Sequence, residues 1–171
     1  WIEDRRPRII EFISSLGDSE FLEMNDYIAA EISDQALSEI LPKDDEIEPT
    51  EALFDEWNWT AVGVHRRFSD LYCALARYTE THEASVVRYA LYRIRDYSSV
   101  SPDEAQRLVG VAQDKIAKRV KEGLLFLCEI RSFEALWKTY TKNTIRDFAR
   151  KADQSRRVDF DEDGFLSHTE S

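Results

Sequence analysis

The amino-acid sequence predicts an all-α fold, and three observations carry that expectation. Apolar residues recur at intervals of three and four along most of the chain. Gly and Pro number only five and four in 171 residues, too few for the many turns of a β-sandwich. Residues that start and stop helices punctuate the periodic segments. With 43% hydrophobic and 12% aromatic residues, the chain is long enough and apolar enough for one domain with a true core. The expected architecture is an irregular helical bundle or short α-solenoid of about seven to eight helices.

Ile9, Ile10, Phe12, Ile13 and Leu16 define a first helix over about 6–16, with Pro7 suited to its first turn and Gly17 to its C-terminal cap. Ser19 is placed to cap the next, whose apolar positions are Phe21, Leu22, Met24, Ile28 and Ile32. A further short helix runs from Asp34 to Leu41 and ends at Pro42. Residues 42–49, PKDDEIEP, read as an exposed linker, since two prolines bracket a mostly acidic run. Its adjacent carboxylates repel one another and lack a turn residue to fold them round an ion.

Thr50 caps a short helix through Trp57, and Thr60 caps a longer one to about Tyr78, facing inward with Val64, Phe68, Leu71, Tyr72 and Leu75. Trp57 and Trp59 read as core or interface anchors where helices meet. Helix 83–97 carries Val86, Val87, Ala90, Leu91, Ile94 and Tyr97, together with Arg88, Arg93 and Arg95. Ser101-Pro102-Asp103-Glu104 is a capping box, in which serine and glutamate satisfy orphan backbone N–H groups from both directions. Leu108, Val109, Ala112, Ile116 and Val120 form the buried stripe of that helix. Opposite them stand Lys115, Lys118, Arg119 and Lys121, favourable near a helix C-terminus.

The apolar run LLFLCEI, 124–130, fits a buried strand or a buried helical turn by its pattern. No second strand exists to pair with it, so the expectation is helix. Ser132 caps the last helix, 132–157. Phe133, Leu136, Trp137, Tyr140, Thr144 or Ile145, Phe148 and Ala152 face inward, and Lys138, Lys142, Arg146, Arg150, Lys151, Arg156 and Arg157 outward.

The net charge of −11 conceals an asymmetry: residues 1–58 hold 17 acids and 4 bases, residues 59–158 hold 12 acids and 19 bases, and residues 159–171 hold 5 acids and no Lys or Arg. Segments of opposite sign attract each other within a fold or present charged faces to partners. The acidic balance argues against strong non-specific nucleic-acid binding. No apolar run approaches the roughly 20 residues that span a bilayer, and no secretory signal is visible. Cys73 and Cys128 lie in apolar runs and read as small buried hydrophobes, which favours a reducing, intracellular setting, cytoplasmic or nuclear.

The segment that names a ligand is Asp159–Glu170, DFDEDGFLSHTE. Calcium takes six to eight oxygen ligands, and a 12-residue loop supplies them from positions 1, 3, 5, 7, 9 and 12. Here these are Asp159, Asp161, Asp163, the Phe165 carbonyl, Ser167 and Glu170. Gly164 stands at position 6, where the chain turns sharply with positive φ. This stretch resembles the loop of the EF-hand family at every position of the pattern, over 12 of 171 residues. The resemblance implies calcium sensing or buffering. An entering helix of that family presents apolar residues where this chain has Val158, Ser155, Gln154 and Lys151. Residues 158–171 are therefore expected to be a loop or acidic tail at the border of a helical domain spanning 1–157.

Arg77-Tyr78-Thr79-Glu80-Thr81-His82 looks like the Arg-x4-His motif of HEPN-domain ribonucleases, all-helical proteins whose paired sites face each other across a dimer interface. Tyr78 departs from the small polar residue of that pattern. His65, His82 and His168 have no metal-ligand spacing with each other or with cysteine. Neither a phosphate-cradling Gly-rich loop nor a nucleophile elbow is found. The expectation is thus a non-catalytic interaction or regulatory domain, with a protein partner and calcium as its ion. The alternatives are a helical RNA-cleaving or RNA-binding module centred on Arg77 and His82, or a purely structural subunit.

Overall fold

A computed structural model describes residues 1–18, 22–41, 50–127 and 130–166, the last eleven of these by backbone alone. Five α-helices and one 3₁₀ turn follow in order: α1 (Ile2–Ser15), α2 (Asp26–Ile40), α3 (Glu51–Arg93), the 3₁₀ turn (Ile94–Asp96), α4 (Pro102–Lys121) and α5 (Phe133–Leu166). The all-α class holds, and no strand occurs among the described residues. The expected seven to eight helices are five, because neighbouring predicted helices fuse. The three expected between Thr50 and Tyr97 are one helix of 43 residues, α3. Thr60 lies inside it. Leu53, Trp57, Ala61, Val64, Phe68 and Leu71 are all buried, so one apolar stripe runs unbroken past the residue taken as a cap. The two helices expected over 19–41 are likewise one, α2, and Asn25 caps it by accepting the Ile28 N–H at 3.0 Å. Ser19, Phe21 and the linker 42–49 lie outside the described residues.

Several local expectations hold. Thr50 Oγ1 accepts the Leu53 N–H at 3.2 Å, and Ser132 Oγ accepts the Ala135 N–H at 3.2 Å. The capping box is reciprocal: Glu104 N–H donates to Ser101 Oγ at 3.2 Å, and Ser101 N–H donates to Glu104 Oε2 at 2.8 Å. That backbone bond holds the Glu104 carboxyl below its ordinary value. Gly17, with φ 79°, ends α1. Pro7 is not in the first turn, because α1 begins at Ile2. The Glu3 carbonyl, deprived of a donor from Pro7, belongs to an exposed residue and can reach water.

The helix expected over 124–130 does not form at 124–126. Gly123 has φ 69°, its N–H donates to the Val120 carbonyl at 3.1 Å, and the Leu124 N–H donates to the Arg119 carbonyl at 2.9 Å. These are the two bonds of a Schellman cap. The left-handed residue turns the chain out of α4, so Leu124 and Phe126 are not helical and are 61% and 46% exposed. Cys128 lies outside the described residues, and Cys73 is a half-buried free thiol.

The chain divides into two compact units. The first comprises Trp1–Thr79 and Ala117–Arg131, the second Glu80–Ile116 and Ser132–Ser171. In the first, Ile9, Ile13, Leu22, Ala29, Ile32, Ala36, Trp57, Ala61, Val64 and Phe68 form a core with no solvent exposure. The Trp57 indole N–H donates to the Ser33 carbonyl at 2.9 Å and so pins α3 to α2. Arg6 grips Asp34 through two bonds of 2.8 and 2.7 Å. Arg67 bonds Glu39, and Lys121 Nζ meets Glu31 at 2.8 Å. These last two pairs join bases of the basic stretch to acids of the acidic one, so part of the charge asymmetry is consumed inside this unit.

In the second unit Val86, Ala90, Ala105, Leu108, Val109, Ala112, Ile116, Trp137, Ile145 and Ala149 are buried. The Trp137 indole N–H donates to the Val109 carbonyl at 3.0 Å, pinning α5 to α4. Lys115 Nζ donates to Thr144 Oγ1 at 3.1 Å. Both alternatives for the inward position, Thr144 and Ile145, are buried.

Candidate functional site

The calcium-ligand candidates fall at the end of α5. The helix was expected to stop at Arg157, but its backbone continues to Leu166 and takes in Asp159, Asp161, Asp163 and Phe165. Ser167 and Glu170 lie outside the described residues. On a helical backbone, positions 159, 161 and 163 succeed one another at about 200° round the axis. A calcium loop needs its first, third and fifth positions on one concave side, with a sharp turn at the sixth. Among the described residues no group of three or more His, Cys, Asp or Glu is placed to hold a metal.

Arg77 and His82 both lie on α3, five positions apart, which is about 140° round a helix. His82 Nδ1 lies 3.3 Å from Glu134 Oε2.

Glu134 is the hub of a polar cluster that sequence reasoning missed. It occupies the first turn of α5, behind the Ser132 cap. Its Oε1 accepts from Ser85 Oγ at 2.6 Å and from Lys138 Nζ at 2.5 Å. Lys138 in turn sits over the Tyr89 ring, 5.9 Å from its centroid. Donation by Lys138 and then by Ser85 drives the Glu134 carboxyl down to about 2. The Ser85 hydroxyl donates to a carboxylate that Lys138 already holds in its ionised form, and a carboxylate that titrates at about 2 is a weak general base. The cluster ties α3 to α5. Only the Glu134–Lys138 spacing of four was visible in the sequence; Ser85 and His82 lie about fifty residues away.

The expected outward basic row of α5 holds in part: Lys138 is half-buried against Glu134, and the side chains of Arg156 and Arg157 lie outside the described ones. Lys142, Arg146, Arg150 and Lys151 are exposed. Arg146 and Arg150 line a groove of about 300 Å³ with Tyr97, Ala149, Asp153 and Gln154. A second groove, about 420 Å³, lies in the first unit between Arg8, Glu11, Phe12, Ser15, Phe54 and Asn58. There Arg5 and Arg8 stand over the Phe54 ring at 5.2 and 5.0 Å.

The aromatic pair at the WNWT segment separates. Trp57 has no exposure, whereas Trp59 is 78% exposed. Tyr27, at the start of α2, is 77% exposed. No helix among the described residues is long and apolar enough to cross a membrane.

Comparison of the chain with protein-family models, with curated proteins and with solved structures finds no match.

Proposed function

We propose that this chain is a non-catalytic helical interaction domain, that Trp59 anchors its contact with a protein partner, and that its C-terminal segment makes it calcium-responsive. The observation that supports the contact is the exposure of Trp59, 78%, two residues from a tryptophan with none. An indole side chain buries roughly 150–250 Å². At about 25 cal/mol per Å², covering it completely is worth about 4–6 kcal/mol. Tryptophan is accordingly enriched among the few residues that dominate interface energies.

The calcium component rests on Asp159, Asp161, Asp163, Gly164 and Glu170 at the spacing of the 12-residue pattern. Because 159–166 is helical, ligation requires these residues to leave the helix. The ion would supply only charge neutralisation for the acidic segment.

Two experiments test the proposal. Affinity capture with the wild-type chain and with Trp59→Ser should yield a protein retained by the first and lost from the second, at equal circular dichroism. An identical set of captured proteins would remove Trp59 as the anchor. Calorimetric titration with calcium should give a heat that disappears in Asp159→Ala combined with Glu170→Gln, together with a loss of helical dichroism on binding. A flat titration of the wild type would end the calcium component and leave the Trp59 contact standing.

A further inference from the structure

We propose that the groove formed by Tyr97, Arg146, Ala149 and Arg150 in the second unit binds the phosphate monoester of a phosphorylated peptide side chain. This is independent of Trp59, which belongs to the first unit.

The argument starts from helical spacing. Arg146 and Arg150 are four apart on α5, so their Cβ atoms lie about 5–6 Å from one another on one face. Both side chains are exposed and line the same groove. Arg146 has one nearby carboxylate, Asp147, with Nε 3.9 Å from Oδ1, and Arg150 has no ion pair among the described residues. Two arginines therefore line one groove with their donors largely unspent among the described residues. A carboxylate carries one charge, which a single fork satisfies. A phosphate monoester carries about −1.5 to −2 at neutral pH and three acceptor oxygens, which matches two forks.

The walls narrow the choice of ligand. Ala149, 1% exposed, forms an apolar floor, and half-buried Tyr97 is a side wall with a phenolic hydroxyl. About 300 Å³ accommodates one side-chain-sized group. Asp153 and Gln154 line the same groove, and they offer an acceptor and an amide to the backbone of a bound peptide. Asp147 and Asp153 also stand among the arginines, and the chain as a whole carries −11. An extended polyanion, whether a lipid surface or a nucleic acid, would meet those acids together with the arginines. A compact dianion held between the two arginines shares the groove with Asp153 but not with Asp147.

The test is an NMR titration of the full chain with acetyl-Ala-phosphoserine-Ala-amide, using the serine and glutamate peptides as controls. Shifts are expected at the Tyr97, Ala149 and Gln154 amides and at the Arg146 and Arg150 side-chain N–H groups. Arg146→Gln and Arg150→Gln should each weaken binding by about tenfold or more. Lys142→Gln removes the same charge outside the groove and should change it less than about threefold. All three positions are exposed, and unchanged dichroism verifies folding. Equal binding of the glutamate peptide, or Arg146→Gln and Arg150→Gln variants that bind like the wild type, would overturn the proposal. So would sedimentation with phosphatidylserine vesicles by a chain that ignores the phosphopeptide.

Discussion

Trp57 and Trp137 hold the same position in the two units. Each is almost completely buried, and each donates its indole N–H to a carbonyl in the middle of a neighbouring helix. The units differ in what surrounds that pin. In the first, bases meet acids across helices: Arg6 with Asp34, Arg67 with Glu39, Lys121 with Glu31. In the second, one carboxylate, Glu134, collects Lys138, Ser85 and His82, while the basic row from Lys142 to Lys151 faces outward. The first unit spends its charge on itself and leaves an aromatic side chain, Trp59, to the solvent. The second keeps Trp137 in its core and leaves a row of cations to the solvent, with Tyr92 61% exposed as well. The two proposals therefore draw on different chemistry, an exposed indole in one unit and exposed guanidinium groups in the other.

The harshest way to break this comparison is to remove each pin. Trp57→Ala and Trp137→Ala should each cost about 3–5 kcal/mol, through a lost side chain and the cavity left behind. Amide hydrogen exchange should report the loss first in the unit that was cut. Equal loss of protection in both units after either substitution would mean that the division is geometric and not energetic.

A smaller effect is expected at Gly123. Its φ of 69° is strained for any L side chain, and a Cβ there would lie 3.3 Å from the Arg67 guanidinium carbon. Gly123→Ala should destabilise the first unit by roughly 1–2 kcal/mol in urea unfolding. The Arg67 side chain also donates to the Lys121 carbonyl at 3.3 Å, one of the orphan acceptors at the end of α4. Displacing it loosens the same turn twice.

The Glu134 cluster sharpens the comparison through pH. Its carboxyl titrates at about 2 in the folded chain against an ordinary 4.5, so the folded state prefers the ionised form. The stabilisation is complete above 4.5 and is lost as pH falls from there toward 2. Against Glu134→Gln, the wild-type second unit should show an advantage at pH 7 that shrinks steadily below pH 4.5. An advantage that stayed constant down to pH 2 would mean that the carboxylate charge has no part in the tie.

The smallest effect should come from Trp59→Ser. With its ring 78% exposed, the substitution should move unfolding by no more than about 0.5 kcal/mol. A loss near that of Trp57→Ala would place the ring in the core and remove the reason to regard it as an anchor.

The features legible in the sequence were those whose partners lie within one turn. Ser101 and Glu104 recognise each other three residues apart, Thr50 and Ser132 cap N–H groups three residues on, and Gly17 adopts the left-handed conformation its position implied. Helix count was not legible. Thr60 and Asp34 have the chemistry of caps, and the buried stripe on the far side of the helix decides whether they act as caps. Apolar composition suggests a helix over 124–130, but Gly123 turns the chain out of α4, and Leu124 and Phe126 are exposed and not helical. Trp57 and Trp59 have the same side chain and the same local neighbourhood; only the packing of α2 against one face of α3 distinguishes the buried ring from the exposed one.

Of the candidate sites, the oxygen-rich spacing from Asp159 to Glu170 and the basic row of α5 were written in the sequence, because each is a pattern along one short segment. The groove that joins Tyr97 to Arg146 and Arg150, and the meeting of Ser85 and His82 with Glu134, were not. The sequence by itself determined the all-α class, the caps and the charge of each segment, since these depend on backbone chemistry within a turn or two. Which segments fuse into one helix, which tryptophan is buried and which charges are neutralised were decided only by the tertiary structure. Each of these depends on contacts between residues tens of positions apart, and local propensity carries no information about them.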